Sequence, residues 1–93
     1  MSEYITIETR ATGDPDVLEI VTNQQLTDAG VEVYSSFEEG DQGSPIAQML
    51  FSGVEGITAL TITGGTLTIT RQPDAPWEAL VDDVRDALRD FFL

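Results

Sequence analysis

The stretch ITALTITGGTLTITR, residues 57–71, decides the fold. Two alternating apolar and β-branched runs, Ile57–Ile62 and Thr66–Arg71, flank the tetrad Thr63-Gly64-Gly65-Thr66. A two-residue glycine loop between such runs is a hairpin signal, because primed turns need positive φ at central positions. The loop also sets the register. Ile62 falls opposite Leu67 and Leu60 opposite Ile69, which puts all four on one side of the sheet. Thr63/Thr66, Thr61/Thr68 and Ala59/Thr70 take the other side. A slip of one residue would mix the faces, so turn chemistry and apolar pattern specify the same hairpin.

Upstream, residues 3–9 alternate and read as a strand with Ile5 and Ile7 inward. Residues 10–15 carry Gly13-Asp14-Pro15, which is breaker chemistry, and read as a loop. Residues 16–22 make a second strand with Leu18 and Ile20 on one face, antiparallel to the first. Residues 31–35 make a third, shorter strand, and 36–43 an acidic, glycine-containing loop. Ser44-Pro45 starts a helix, with serine as N-cap and proline at the first helical position. Ile46, Met49 and Leu50 lie on its one apolar face, and Gly53 is placed to end it. Downstream, Pro73 and Pro76 bracket a linker. An amphipathic helix then buries Trp77, Leu80, Val81, Val84, Leu88 and Phe91, with Phe92 at the stripe's edge as a small exposed patch. Asp82/Arg85 and Asp86/Arg89 are spaced as i,i+3 ion pairs. The fold class is α+β, a mostly antiparallel sheet with two helices packed on one face. At 93 residues, 1–93 reads as one domain.

Composition narrows the function classes. Seventeen acidic residues stand against four basic ones, a formal net charge of -13. All four basics are arginines, Arg10, Arg71, Arg85 and Arg89. Nucleic-acid and anionic-membrane binding rest on cationic neutralisation of phosphates, so neither is expected. The acidity itself reads as adaptation to a salty interior, where the screening length falls to about 3 Å at molar salt, rather than as recognition of a basic partner. Cysteine, histidine and lysine are all absent. No thiolate can hold zinc or an iron–sulfur cluster, no disulfide can form, and no ordinary base is present to activate a serine. The chain is expected not to be an enzyme, and no cofactor is implied. No apolar run approaches a membrane span and no basic leader precedes an apolar core, so the expected location is the cytoplasm.

Oxygen ligands remain. Glu38, Glu39 and Asp41 sit together, and Asp14 and Asp16 flank Pro15. Carboxylates suit hard cations or iron, so a carboxylate-type iron-binding protein is the alternative reading. The spacing does not match an EF-hand loop; a solvated acidic loop is the simpler account. Trp77 reads as a core residue more readily than as an interface anchor.

The order of motifs resembles the N-terminal domain of Nfu/NifU-type iron–sulfur scaffold proteins. Thr9, Thr12, Gly13, Asp14 and Pro15 stand where that family has a Thr- and Pro-containing loop, followed by the strand Val17-Leu18-Glu19-Ile20. Ser44-Pro45-Ile46-Ala47 and Leu50-Phe51 match its helix start and end. Gly53-Val54, Gly56-Ile57, the return strand Leu67-Thr68-Ile69-Thr70-Arg71 and Trp77-Glu78 follow in order. The resemblance spans roughly residues 4 to 92. Gly13-Asp14 departs from the family's Pro-Asn, and the family's Cys-x-x-Cys cluster domain has no counterpart in this sequence. The resemblance implies a free-standing accessory domain that meets protein partners of the iron–sulfur assembly pathway. It points to Thr12, Asp14, Pro15, Ser44 and Pro45 as partner-binding residues, each of which also has a plain role in a turn or a cap.

Overall fold

The computed structural model describes residues 5–92. Five strands, β1 (Ile7–Ala11), β2 (Val17–Thr22), β3 (Val31–Tyr34), β4 (Ile57–Thr63) and β5 (Thr66–Arg71), form one sheet in the order β1-β2-β5-β4-β3, with every neighbouring pair antiparallel. Three helices, α1 (Phe37–Asp41), α2 (Pro45–Gly53) and α3 (Trp77–Phe92), complete the chain.

The β4–β5 hairpin has the register its turn dictates, Ile62 with Leu67 and Leu60 with Ile69, all four buried. The turn is more economical than expected, for only Gly64 has positive φ, at 55°. One positive φ at the first central residue is the signature of a type II′ turn. Gly65 is needed for a different reason. The chain leaving β2 crosses this end of the sheet towards β3, with Thr22 and Leu26 donating their N–H groups to Gly65 and Gly64 O at 2.8 and 2.9 Å. A Cβ on Gly65 would lie 2.7 Å from Gln24 O. At the other end of β4, the register shifts between Ile57 and Ala59. This bulge at Thr58 turns both Ile57 and Leu60 inward although they are three residues apart.

β1 begins later and runs further than the alternation predicted. Arg10 and Ala11, expected in the loop, pair with Glu19 and Leu18; the first residues of the expected 3–9 strand lie outside the described residues. Ile5 and Ile7 are half-buried against the core. β3 inverts the usual pattern: Val31 and Val33 are 54% and 60% exposed, while Glu32 and Tyr34 share the helix-facing side with their partners Ile62 and Leu60.

The acidic stretch 36–43 is a helical turn rather than a loop. Ser36 Oγ accepts from Glu39 N–H at 3.2 Å, and the Glu39 carboxylate accepts from Ser35 N–H at 3.0 Å. This is a variant of the Ser-x-x-Glu capping box in which the carboxylate reaches the N–H one residue before the cap, and it satisfies two donors at the start of the turn. Gly40 lets that turn lie directly on the Phe51 ring, where a Cβ would overlap it. The helix count therefore rises from two to three.

α2 starts as its sequence predicts, on a Ser44 cap and Pro45. It does not end on a left-handed glycine: Gly53 has ordinary φ, and Val54 N–H closes the last turn on Leu50 O at 3.0 Å. α3 buries Leu80, Val84 and Leu88 at i, i+4, i+8. Phe91 does not join that stripe; it is 42% exposed beside Phe92 at 38%, their rings edge to face. The expected pairs Asp82–Arg85 and Asp86–Arg89 form at 3.0 and 3.7 Å, both on open surface where each contributes a few tenths of a kcal/mol. Among the described residues no helix is long and apolar enough to cross a membrane.

Candidate functional site

The Thr12–Asp16 turn is built from its own side chains. Thr12 Oγ1 accepts from Asp14 N–H at 3.1 Å and lies 3.0 Å from Val17 O, to which it donates. Asp14 Oδ1 accepts from Asp16 N–H at 2.9 Å, an Asx turn, and Val17 N–H closes the loop on Asp14 O at 3.1 Å. Thr12 and Asp14 thus shape the loop. The Asp14 and Pro15 side chains remain exposed on it.

Two side chains, Trp77 and Arg71, tie this loop to the rest of the molecule. Trp77 Nε1–H donates to Pro15 O at 2.9 Å, joining the loop to the first turn of α3 across 62 residues of sequence. Arg71 Nε pairs with Asp16 Oδ1 at 3.2 Å, and Arg71 Nη1 donates to Ala75 O at 2.8 Å. The Arg71 guanidinium carbon lies 5.1 Å from the Trp77 ring centroid, within cation–π range. Arg71 therefore holds the loop, the linker and α3 together from the end of β5. Trp77 is half-buried against the core, as the sequence favoured, while its indole N–H serves the loop.

Beside the loop, between β1 and α3, runs an open groove of about 610 Å³ lined by Thr9, Leu18, Trp77, Glu78, Val81 and Asp82. It exists because the helices stop short of the sheet's edge. Leu18 and Val81 are only half-buried, and the helix-facing residues Thr9 and Ala11 of β1 are exposed.

Ser44 and Pro45 lie elsewhere. Ser44 Oγ caps α2 through Ala47 N–H at 3.4 Å, and Ser44 N–H donates to the Tyr34 hydroxyl at 3.2 Å. The Tyr34 hydroxyl donates in turn to Glu32. Burial alone would push the Glu32 carboxyl up, but hydrogen bonds from Thr27, Tyr34 and Ser44 outweigh it and hold the group below the usual value. Thr27, Glu32, Ser44 and Pro45 border a second cavity of about 350 Å³ whose rim includes Phe91 and Phe92. Trp77 and Phe91 are fourteen residues apart on one helix, so at about 1.5 Å per residue the two cavities sit roughly 20 Å from each other. The residues singled out from sequence therefore form two places and not one.

The sequence reading overlooked Arg71, Leu18 and Val81 at the first place, and Thr27, Glu32 and Tyr34 at the second. Arg71 meets Asp16 over 55 residues, a separation with no local signature. Glu32 and Tyr34 could have been paired, since i and i+2 in a strand share a face. Among the described residues no three carboxylates are placed so that they could hold a metal ion. Glu38, Glu39 and Asp41 ride instead on the one-turn α1, where Glu39 is engaged in capping.

None of the curated proteins compared with the chain matches it. Among solved structures, a NifU-like protein from Saccharomyces cerevisiae superimposes with a TM-score of 0.77 at 23% identity, over 97% of this chain and 82% of that one. A Staphylococcus aureus protein superimposes with a TM-score of 0.70 at 16% identity, over 88% and 96%. A Staphylococcus epidermidis protein does so at 0.56 and 15%, over 90% and 94%. At such identities the likeness is one of fold. The model of the scaffold protein Nfu/NifU N-terminal family matches residues 7–93, from the first residue of β1 through the end of α3, and the chain belongs to that family.

Proposed function

We propose that this chain is a non-catalytic, cytoplasmic accessory domain that docks protein partners during iron–sulfur cluster assembly or delivery. The observation that carries the reading is the family match over residues 7–93 on a sequence without cysteine or histidine. A cluster needs thiolate or imidazole ligands, so the chemistry of assembly must lie outside these 93 residues while this domain supplies contacts. The exposed Asp14-Pro15 turn supports the reading, because a rigid sheet and the Arg71 clamp present it without freedom to collapse. Ser44 and Pro45 are accounted for by the α2 start, which leaves the Thr12–Pro15 turn and the groove beside it as the better contact surface.

The test is affinity capture of the tagged protein from its own lysate at native ionic strength, read by mass spectrometry. Enrichment of cysteine-bearing cluster scaffolds or of apo iron–sulfur enzymes is the expected result. Reproducible enrichment of proteins unrelated to clusters, or of none, would overturn it.

A further inference from the structure

The two edges of the sheet are treated differently. β3 carries an inward-pointing carboxylate, Glu32, fixed by Tyr34, and inward charge is one of the ways proteins close an edge to further pairing. β1 carries none: its helix-facing residues are Ile7, Thr9 and Ala11. Nor do the described residues cover the outward main-chain groups of β1. Antiparallel strands turn the N–H and C=O of alternate residues to opposite sides. Asp16 O and Thr22 N–H are directed to the β5 side of β2, to Arg71 N and Gly65 O. Glu19 and Val21 therefore face β1, where they meet Arg10 and Glu8. Thr6 N–H likewise turns inward, to Asn23 Oδ1. Ile7, Thr9 and Ala11 must then direct their N–H and C=O groups away from the sheet. β1 is the outermost strand, and no described strand lies beyond it.

This edge opens onto the groove described above. Its wall is apolar, from Leu18, Val81 and the Trp77 ring, and its rim is acidic, from Glu78 and from Asp82, which also pairs with Arg85 at 3.0 Å. A strand placed beside β1 at ~4.8 Å would bond to Ile7, Thr9 and Ala11 and send alternate side chains into the groove. We infer that the β1 edge, with the groove between β1 and α3, is a docking site for an extended, basic and apolar segment of a partner protein. The inference rests on the interaction-domain reading and specifies where and how the contact is made. Charge selects the occupant. A second copy of this chain would bring two Glu78/Asp82 rims together on molecules of net charge -13 each, whereas lysine or arginine beside apolar residues complements both rim and wall.

The probe is a fluorescein-labelled nine-residue peptide of alternating valine and arginine, compared with one of alternating valine and glutamate. Binding is followed by fluorescence anisotropy, amide chemical shifts and hydrogen exchange. The arginine peptide is expected to bind and the glutamate peptide not. Exchange at Ile7, Thr9 and Ala11 should slow, and the Trp77 indole resonance should move. Thr9→Pro removes an outward N–H that no ladder bond uses, a substitution edge strands tolerate. It should leave the melting temperature nearly unchanged while weakening the peptide by about tenfold, the scale of a lost main-chain bond with its local adjustment. Glu78→Gln should weaken the arginine peptide severalfold and lessen its salt dependence. The inference is overturned by equal binding of both peptides, by no binding of either, by shifts confined to the Val31/Val33 face or the Phe91/Phe92 rim, by unchanged affinity in folded Thr9→Pro, or by sedimentation showing that copies of the chain pair through β1. If folded Thr9→Pro still captures the same cluster proteins as the wild type, the groove is wrong and the accessory reading stands. If the wild type captures none, it is the accessory reading that falls.

Discussion

Arg71→Met isolates the clamp under the candidate site. Methionine keeps most of the aliphatic stem and removes the guanidinium, which has three jobs. The first is the 2.8 Å bond to Ala75 O. It is charge-assisted and part-buried, a class that contributes about 1.5–3 kcal/mol; with one face of the head still wet, the lower end applies. The second is the Asp16 pair at 3.2 Å, with side chains 19% and 38% exposed. Its partner is wet enough that solvent screening holds it to roughly 0.5 kcal/mol. The third is the contact over the Trp77 ring at 5.1 Å, about 0.5 kcal/mol at a partly exposed position. The contributions overlap because they share one group, so a loss of about 2 kcal/mol is expected. For a domain of this size that lowers the melting temperature by roughly 8–16 °C. Thermal unfolding followed by circular dichroism, at an ionic strength where the protein is fully folded, reads the shift. Arg85→Met is the control: it breaks only an exposed i,i+3 pair, and its cost should stay under about 0.5 kcal/mol. The reasoning fails if the two variants melt together, or if the Trp77 indole resonance is unmoved in Arg71→Met.

Other consequences follow from the same structure. Gly65→Ala should destabilise by roughly 2–3 kcal/mol, because its Cβ meets the backbone oxygens of Gln24 and Thr22 at 2.7 and 3.0 Å; Gly64→Ala, with open space around it but positive φ, should cost only about 1 kcal/mol. Comparative urea unfolding checks the order, and equal costs would show that the crossover does not press on the turn. Glu32 has a folded-state pKa below the ordinary carboxylate value, so its contribution is present above the ordinary value and lost as pH falls through the lowered one. Glu32→Gln should therefore lower stability at neutral pH and flatten the acid limb of a stability–pH profile; an unchanged acid limb would remove Glu32 from the network. Titration calorimetry with manganese or ferrous iron should find no site tighter than millimolar, since no described carboxylate triad converges; a micromolar site would revive the carboxylate-metal reading.

Much of the sheet was readable from the chain. In residues 57–71, spacing and turn chemistry operate within a few residues of each other, so register followed from local rules. The Ser44-Pro45 start of α2 and the Leu80, Val84, Leu88 stripe of α3 were legible for the same reason. The one-turn α1 was missed because three acidic residues and a glycine outweighed a four-residue capping signal whose helix needs Phe51 beneath it. Val31 and Val33 point away from the core although their residue type argues otherwise, because Glu32 and Tyr34 satisfy each other on the inner side.

The sequence by itself determined the α+β class, the hairpin register, two of the three helices, the family, and the exclusion of cysteine-ligated chemistry. Those properties depend on composition or on residues close along the chain. Tertiary structure alone decided that the Thr12–Pro15 turn and the Ser44-Pro45 start lie at opposite ends of α3. It alone placed Arg71 against Asp16 and Trp77, and set β1 beside a groove with no described strand beyond it. Each of these depends on where separate elements stop relative to one another, and that is set by packing between elements as far apart as Pro15 and Trp77, 62 residues along the chain, on which no local pattern of residues reports.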